Sequence, residues 1–274
     1  MKPSISFIGA GNVTFRFSHA LHEKGYTIDK IFNRSQENAK KVIRMLSANG
    51  SDATVAASLD ELFDSSIIII AVTDKQLPEV VSHLLPIAID RTESGKKNPI
   101  FLHTCGAEDI AVFNSLVLTG CKCGVLYPLM TLNRNKNVEF KDVPLLLEAT
   151  ESSIEPVLEA IATDLGSEHY FYSSKDRLKM HVSAVFTCNF VNYMLTLAFE
   201  IVGRDQPLLL PGTVESVRNS FLHSPLAALT GPAKRGDLET IEKHLNLLKE
   251  MGMEEQAQLY SLISENIMKR QKDK

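Results

Sequence analysis

Two glycines near the start of the chain are spaced for phosphate chemistry. The run Ile5-Ser6-Phe7-Ile8-Gly9-Ala10-Gly11-Asn12-Val13 reads as a buried strand that turns at Gly9 and opens a helix after Gly11. A pyrophosphate needs this arrangement, because it must approach bare backbone at the positive end of a helix whose first N–H groups have no other partner. Gly9 permits the tight turn and Gly11 the close approach, with Ala10, Asn12 and Val13 completing the cradle. The third position of the G-x-G-x-x-G/A pattern is Thr14, followed by bulky Phe15, so the match is imperfect. At the end of the next strand stands Asn33-Arg34-Ser35, where an NAD site places a carboxylate for the ribose 2′-hydroxyl. A carboxylate repels a 2′-phosphate, whereas a guanidinium beside an amide and a hydroxyl holds one by charge-assisted hydrogen bonds. The cofactor expected is therefore NADP(H). The plain alternative is a solvated Arg34 with Ser35 as the N-cap of the following helix.

Other polar residues stand where further strands should end. Ligands of open α/β sheets lie beyond the carboxyl ends of the strands, so Ala71, Val72, Thr73 and Thr104 are expected to line the nicotinamide end. His103 is a candidate proton donor and Thr104 a hydroxyl donor to a carbonyl or imine; His103 equally suits a role satisfying backbone groups at a strand end. Cys105 as a nucleophile lacks any identifiable activating base. Further along, His181, Val185, Cys188, Asn189 and Asn192 recur at helical spacing in an apolar segment. Unpaired burial costs about 1–3 kcal/mol for each polar group, so these face a cleft or a satisfied polar network. His181 is the better general-acid candidate, since imidazole titrates near working pH, and Asn189 would orient the substrate. In Leu229-Thr230-Gly231-Pro232-Ala233-Lys234-Arg235-Gly236-Asp237, Arg235 can clamp a substrate carboxylate and Asp237 can cap the next helix. The Arg-Gly-Asp triplet is not read as an adhesion signal, because nothing suggests export.

These residues need a scaffold. The helix carrying Val13, Phe17, Ala20 and Leu21 ends at Gly25, and a strand over Thr27–Phe32 completes a βαβ unit. A helix over 36–48, a short helix near 60–63 and a continuous β-branched strand over 67–72 follow, the last buried on both faces. A helix over 76–85, a charged loop over 91–98, strands over 99–103, 122–126 and 143–148, a helix over 152–165 and a short strand over 169–172 complete the α/β part. From Ser174 the pattern is helical only, with a buried central helix over 175–202 and helices over 212–221, 237–251 and 254–269. The fold class expected is a mainly parallel Rossmann-type sheet over 1–172, followed by an all-α domain over 173–274.

Composition narrows the classes. The 274 residues are 44% hydrophobic with a net charge of −4, enough for a substantial core and without the basic footprint of a nucleic-acid binder. The basic tail Lys269–Lys274 is expected to be solvated. The longest apolar run, Ile67–Val72, is too short to cross a bilayer, and the start lacks a signal-peptide pattern; a cytoplasmic location with no membrane partner is expected. Four cysteines in such a chain are expected as thiols. Cys121 and Cys123 lack a second ligand pair, and no metal site is indicated.

Taken in order, Gly9-Ala-Gly-Asn-Val, Ala71-Val-Thr-Asp, His103-Thr-Cys-Gly-Ala, Tyr127-Pro-Leu-Met-Thr, His181-Val-Ser-Ala-Val-Phe-Thr-Cys-Asn and Leu229-Thr-Gly-Pro-Ala-Lys-Arg-Gly-Asp resemble one family over nearly the whole chain. It comprises bacterial proteins that join an N-terminal Rossmann-like domain to a C-terminal domain of unknown function, DUF2520. The family is related to pyrroline-5-carboxylate reductases within the 6-phosphogluconate dehydrogenase-like superfamily. The resemblance implies an NADP-linked oxidoreductase with a helical dimerisation domain, hence a homodimer, and supplies no substrate. The family commonly has Ser where Cys105 stands and His where Tyr127 stands. Related hydroxyacid dehydrogenases use a helix Lys with an Asn one turn later, and neither Lys175 nor Lys179 has one. The activity expected is reduction of a small C=O or C=N substrate by hydride from NADPH. His181 or His103 would supply the proton, Asn189 would orient the substrate and Arg235 would bind its carboxylate. A non-catalytic NADP(H)-binding sensor or assembly protein is the alternative, and reduction of a deazaflavin rests on superfamily analogy alone.

Overall fold

The computed structural model describes residues 2–135 and 138–272; residues 273 and 274 of the basic tail lie outside them. The chain falls into two compact units, residues 1–189 and 190–274.

The first unit is built on an eight-stranded sheet in the order β3-β2-β1-β4-β5-β6-β7-β8. The strands are β1 Ser4–Ile8, β2 Thr27–Phe32, β3 Thr54–Val55, β4 Ile67–Ile70, β5 Ile100–His103, β6 Cys123–Pro128, β7 Leu145–Ala149 and β8 His169–Phe171. All neighbours run parallel except β6 and β7. Among the described residues its α-helices are α1 Asn12–Glu23, α2 Gln36–Ala48, α3 Leu77–Glu93, α4 Asn114–Val117, α5 Glu155–Leu165 and α6 Ser174–Ala184. The four isoleucines of β4 show why its sequence is continuously apolar. Ile67 and Ile69 enter one core, with α1, α2 and α5, while Ile68 and Ile70 enter a second core with α3. Helices on both faces leave a central strand no solvated side.

Several elements differ from the expected layout. α3 continues to Glu93, because Leu84 and Ala88 carry on the buried stripe begun by Leu77 and Val81, and the charged loop shortens accordingly. The two-residue β3 and four-residue α4 are too short to leave a periodic signal. β7 is antiparallel to β6, a direction its apolar pattern does not encode. The compact units divide at 189 and 190, beyond Tyr172, because α6 stays with the sheet: Arg177 is 1% exposed and ion-paired to Glu148 of β7.

The segment expected to be a buried central helix is different again. α6 passes into a π-helical turn, Val185–Phe190, and then α7, Val191–Val202. Val182, Phe186, Tyr193 and Phe199 are all exposed, so the segment is not buried within its own chain. Within the helical run Ser174–Leu222 an 18-residue window reaches a mean hydropathy of 1.5, so by length and composition alone the run could cross a membrane.

The second unit continues with α8 Leu210–Leu222, α9 Pro225–Ala228, α10 Pro232–Arg235, α11 Leu238–Glu250 and α12 Glu254–Lys272. Asp237 caps α11, its carboxylate accepting from Thr240 N–H at 3.1 Å. Among the described residues, its buried apolar side chains are Ala233, Ile241, Leu248 and Ala257, a thin core for 85 residues.

Candidate functional site

Strand register assembles the site. Phe32, Ile8, Ile70, His103 and Val125 lie side by side across five parallel strands. The segments that follow them therefore emerge at one carboxyl edge, where open α/β sheets bind ligands.

At that edge the two turn glycines have different reasons to be glycine. Gly9 has φ +101°, and a Cβ there would stand 2.3 Å from the Ala71 carbonyl oxygen, so the protein itself requires it. Around a Cβ on Gly11 there is nothing within 4 Å; the space belongs to no protein atom. Gly11 is the N-cap of α1, with no side-chain cap and no acidic residue in the first turn, which leaves the helix N–H groups and their positive end for an anion. Thr14, at the imperfect third position, is fully buried and donates its hydroxyl to the Gly9 carbonyl at 2.9 Å. It ties the turn from below. The residues present thus fit a dinucleotide phosphate: Gly9 to Val13 would hold it by backbone.

At the end of β2, Arg34 is exposed and ion-paired to Glu79 of α3 at 2.8 Å. Such surface pairs contribute about 0–1 kcal/mol, so a phosphate can displace the carboxylate. Ser35 occupies the N-cap of α2 without a capping hydrogen bond, and Asn33 Nδ2 donates to the Ser35 carbonyl. Ala71 N–H continues the sheet to Ile8, and the Val72 carbonyl accepts from Cys105 Sγ at 3.5 Å. Thr73 is engaged with Gln76 Oε1 at 2.8 Å. Thr104 is 7% exposed, and its N–H is spent on Ile70.

His103 is corrected as a proton donor. It is 0% exposed, its Nδ1 accepts from Cys105 N–H at 3.2 Å, and burial, with the Arg177 charge nearby, lowers its pKa to about 3. A neutral ring sealed from solvent serves the backbone at the strand end. Burial raises the Cys105 thiol well above its ordinary range, with Asp74 and Glu108 adding to the shift; it is inert as a nucleophile.

His181 lies elsewhere in this edge, with a partner. Tyr127 Oη and His181 Nδ1 are 2.9 Å apart, with the rings edge to face. Both seat on Gly106, where a Cβ would come within 2.5 Å of His181 Nδ1 and 2.7 Å of Tyr127 Cζ. The pair exists because residue 106 has no side chain. Burial pushes the Tyr127 phenol up to about 12, with Asp74 adding to the shift and Arg177 opposing it. Arg177, four residues before His181 and so on the same helix face, fastens α6 to β7 through Glu148 and to the segment after β5 through the Glu108 carbonyl, and donates to Ser174 Oγ within the helix.

The expected stripe from His181 to Asn192 does not hold. The π turn from Val185 breaks the 3.6-residue period, and Asn189 is exposed. Arg235 belongs to the second unit, where its guanidinium stands 4.0 Å from Asp237. Among the described residues no group of three His, Cys, Asp or Glu side chains could hold a metal.

Three contributors were not singled out by residue type or spacing. Tyr127 matters through its hydrogen bond to His181, 54 residues away, and Gly106 through the space it leaves for that pair. Arg134, in the segment after β6, donates from Nε to Asn12 Oδ1 at 3.0 Å, 122 residues away. No local pattern announces such pairs.

A mostly parallel sheet with an open glycine turn at its carboxyl edge defines a Rossmann-like protein, and residues 1–128 match the Rossmann-like domain family. Residues 143–267 match DUF2520, a domain of unknown function, and the chain belongs to the family that joins these two domains. It is 30% identical to a Bacteroides fragilis protein described as a candidate NADP oxidoreductase, over 98% of both chains, with a TM-score of 0.84. It also resembles a pyrroline-5-carboxylate reductase from Coxiella burnetii (14% identity, 98% of both chains, TM-score 0.56). A third likeness is to a reductive aminase from Aspergillus terreus solved with NADPH and ethyl-5-oxohexanoate (12% identity, 98% of this chain and 95% of that one, TM-score 0.64). These last two likenesses establish the fold. No curated protein matches the chain.

Proposed function

We propose that this protein is an NADP(H)-dependent oxidoreductase that reduces a small C=O or C=N substrate. The observation that carries the reading is the Tyr127–His181 hydrogen bond, a proton-donor pair at the same sheet edge as the open glycine turn. The names of the Bacteroides fragilis relative and of the reductases sharing the fold support it.

NADPH would supply the hydride, held at its phosphates by Gly9 to Val13 and at its 2′-phosphate by Asn33, Arg34 and Ser35. Reduction then requires one proton at the substrate oxygen or nitrogen. Protonated His181 donates Nδ1–H to the Tyr127 oxygen and keeps Nε2–H for the substrate. The phenol, pushed up to about 12, stays protonated and does not strip the imidazolium. Loss of the Nε2 proton leaves a neutral imidazole still held by the same hydrogen bond.

We read the protein as a cytoplasmic homodimer. The exposed apolar residues of α6 and α7 and the thin core of the second unit call for a covering surface, which a second copy supplies. The four cysteines are free thiols, in keeping with a reducing compartment. Light scattering should give twice the chain mass; a monomer, or a protein recovered only with membranes, would refute the dimer.

Calorimetric titration with NADPH and NADH, on wild type and Arg34→Ala, tests the cofactor. Clear NADPH preference, lost in the variant, is expected. NADPH oxidation against imino acids, keto acids and aldehydes then tests the chemistry. His181→Ala should abolish turnover on whichever substrate responds. Tight binding with no turnover across the panel would favour a non-catalytic NADP(H) sensor.

A further inference from the structure

The segment after β6 delivers a cation to the glycine turn. Arg134 reaches three residues there. Its Nε donates to Asn12 Oδ1 at 3.0 Å, its Nη2 to the Ala10 carbonyl at 3.4 Å, and its guanidinium carbon lies 5.7 Å from the centre of the Phe15 ring. These contacts fix the group at the rim of the turn and leave Nη1 without a hydrogen bond among the described residues.

These acceptors are neutral, and no acid among the described residues offsets the charge. A cation sits beside the positive end of α1, whose first turn has no acidic residue and no side-chain cap. Among the described residues no carboxylate lies within 4.0 Å of Arg134, whereas the more exposed Arg34 has Glu79. The two positive features adjoin the space that Gly11 leaves open. An anion in that space would be attracted by both.

We propose that Arg134 is a phosphate-binding residue that clamps the pyrophosphate of the dinucleotide against the N-terminus of α1. The inference rests on the dinucleotide reading above and adds a division of labour. Arg34 would select the 2′-phosphate, and Arg134 would bind the group common to NADPH, NADH and ADP. The bulky Phe15 is accounted for as well, since its ring supports the guanidinium.

The experiment is calorimetric titration of the full chain with NADPH, NADH and ADP, on wild type, Arg134→Ala, Arg134→Lys and Arg34→Ala, each with a thermal melt to confirm folding. Loss of a charge-assisted bond predicts that Arg134→Ala weakens all three ligands alike by about tenfold or more, with the NADPH-to-NADH ratio unchanged. Arg134→Lys, which keeps the charge without the fork, should fall between. Arg34→Ala should collapse the ratio while sparing ADP. Wild-type affinity for all three in Arg134→Ala would overturn this assignment and leave the dinucleotide reading standing. Selective loss of NADPH would overturn it in favour of a 2′-phosphate contact. A wild type that binds none of the three would overturn both.

Discussion

Acidification from pH 7 to pH 5 should cost the folded first unit about 2 kcal/mol through His103 alone. In the unfolded chain this imidazole takes a proton below its ordinary pKa of 6.5; in the folded protein burial, reinforced by Arg177, delays that to about 3. The folded-state pKa is depressed, so the unfolded state binds more protons between pH 6.5 and 3, and stability falls with falling pH across that window. One pH unit corresponds to about 1.36 kcal/mol, and pH 5 lies about 1.5 units below the unfolded pKa, which gives the figure. Above pH 6.5 the contribution is complete. Urea unfolding followed by circular dichroism at pH 7, 6 and 5, on wild type and His103→Asn, measures it. Asn retains an acceptor for Cys105 N–H, so the variant should be less stable at pH 7 but should lose about 2 kcal/mol less than wild type on reaching pH 5. Parallel pH dependence in the two proteins would refute the argument and return His103 to the list of proton donors.

Other consequences follow from the same edge of the sheet. Gly9→Ala should cost roughly 3 kcal/mol or more in thermal or urea unfolding, combining left-handed strain with the 2.3 Å approach to Ala71. Gly11→Ala should leave stability within about 1 kcal/mol while lowering NADPH affinity in a binding titration. Gly106→Ala should separate Tyr127 from His181 at a cost of about 1–3 kcal/mol; nitrogen NMR of labelled histidine should show a shifted His181 Nδ1, and an unchanged resonance would contradict the packing. Glu148→Gln leaves Arg177 charged and buried without its carboxylate, at a cost of roughly 3–5 kcal/mol. Adding Arg177→Met should recover part of that loss in the same unfolding measurement.

Much of the first unit was legible from residues 1–103. β1, the turn, α1, β2 and α2 lie close to their expected places, because a glycine turn between a β-branched run and an amphipathic stretch is decided within about 30 residues. The cap at Asp237 was legible for the same reason. The π turn was not, since its residues Val-Phe-Thr-Cys-Asn-Phe are as apolar as an ordinary helix interior, and it disrupted the stripe that had joined Asn189 to His181. His181 was reached from its residue type, but its partner was not.

The sequence by itself determined the chemistry of the backbone: an open glycine turn, the absence of an acid at the end of β2, a sheet buried on both faces, and a helical second half. Those properties follow from local φ/ψ preference and from the period of apolar residues, which any single segment carries. Only the tertiary structure decided which side chains meet. Tyr127 reaches His181 across 54 residues, Arg177 reaches Glu148 across 29, and Arg134 reaches Asn12 across 122. Each meeting depends on strand order and register, and a shift of one residue in register would turn an inward side chain outward. The same register sealed His103 beneath the edge and brought Tyr127 and His181 together over Gly106.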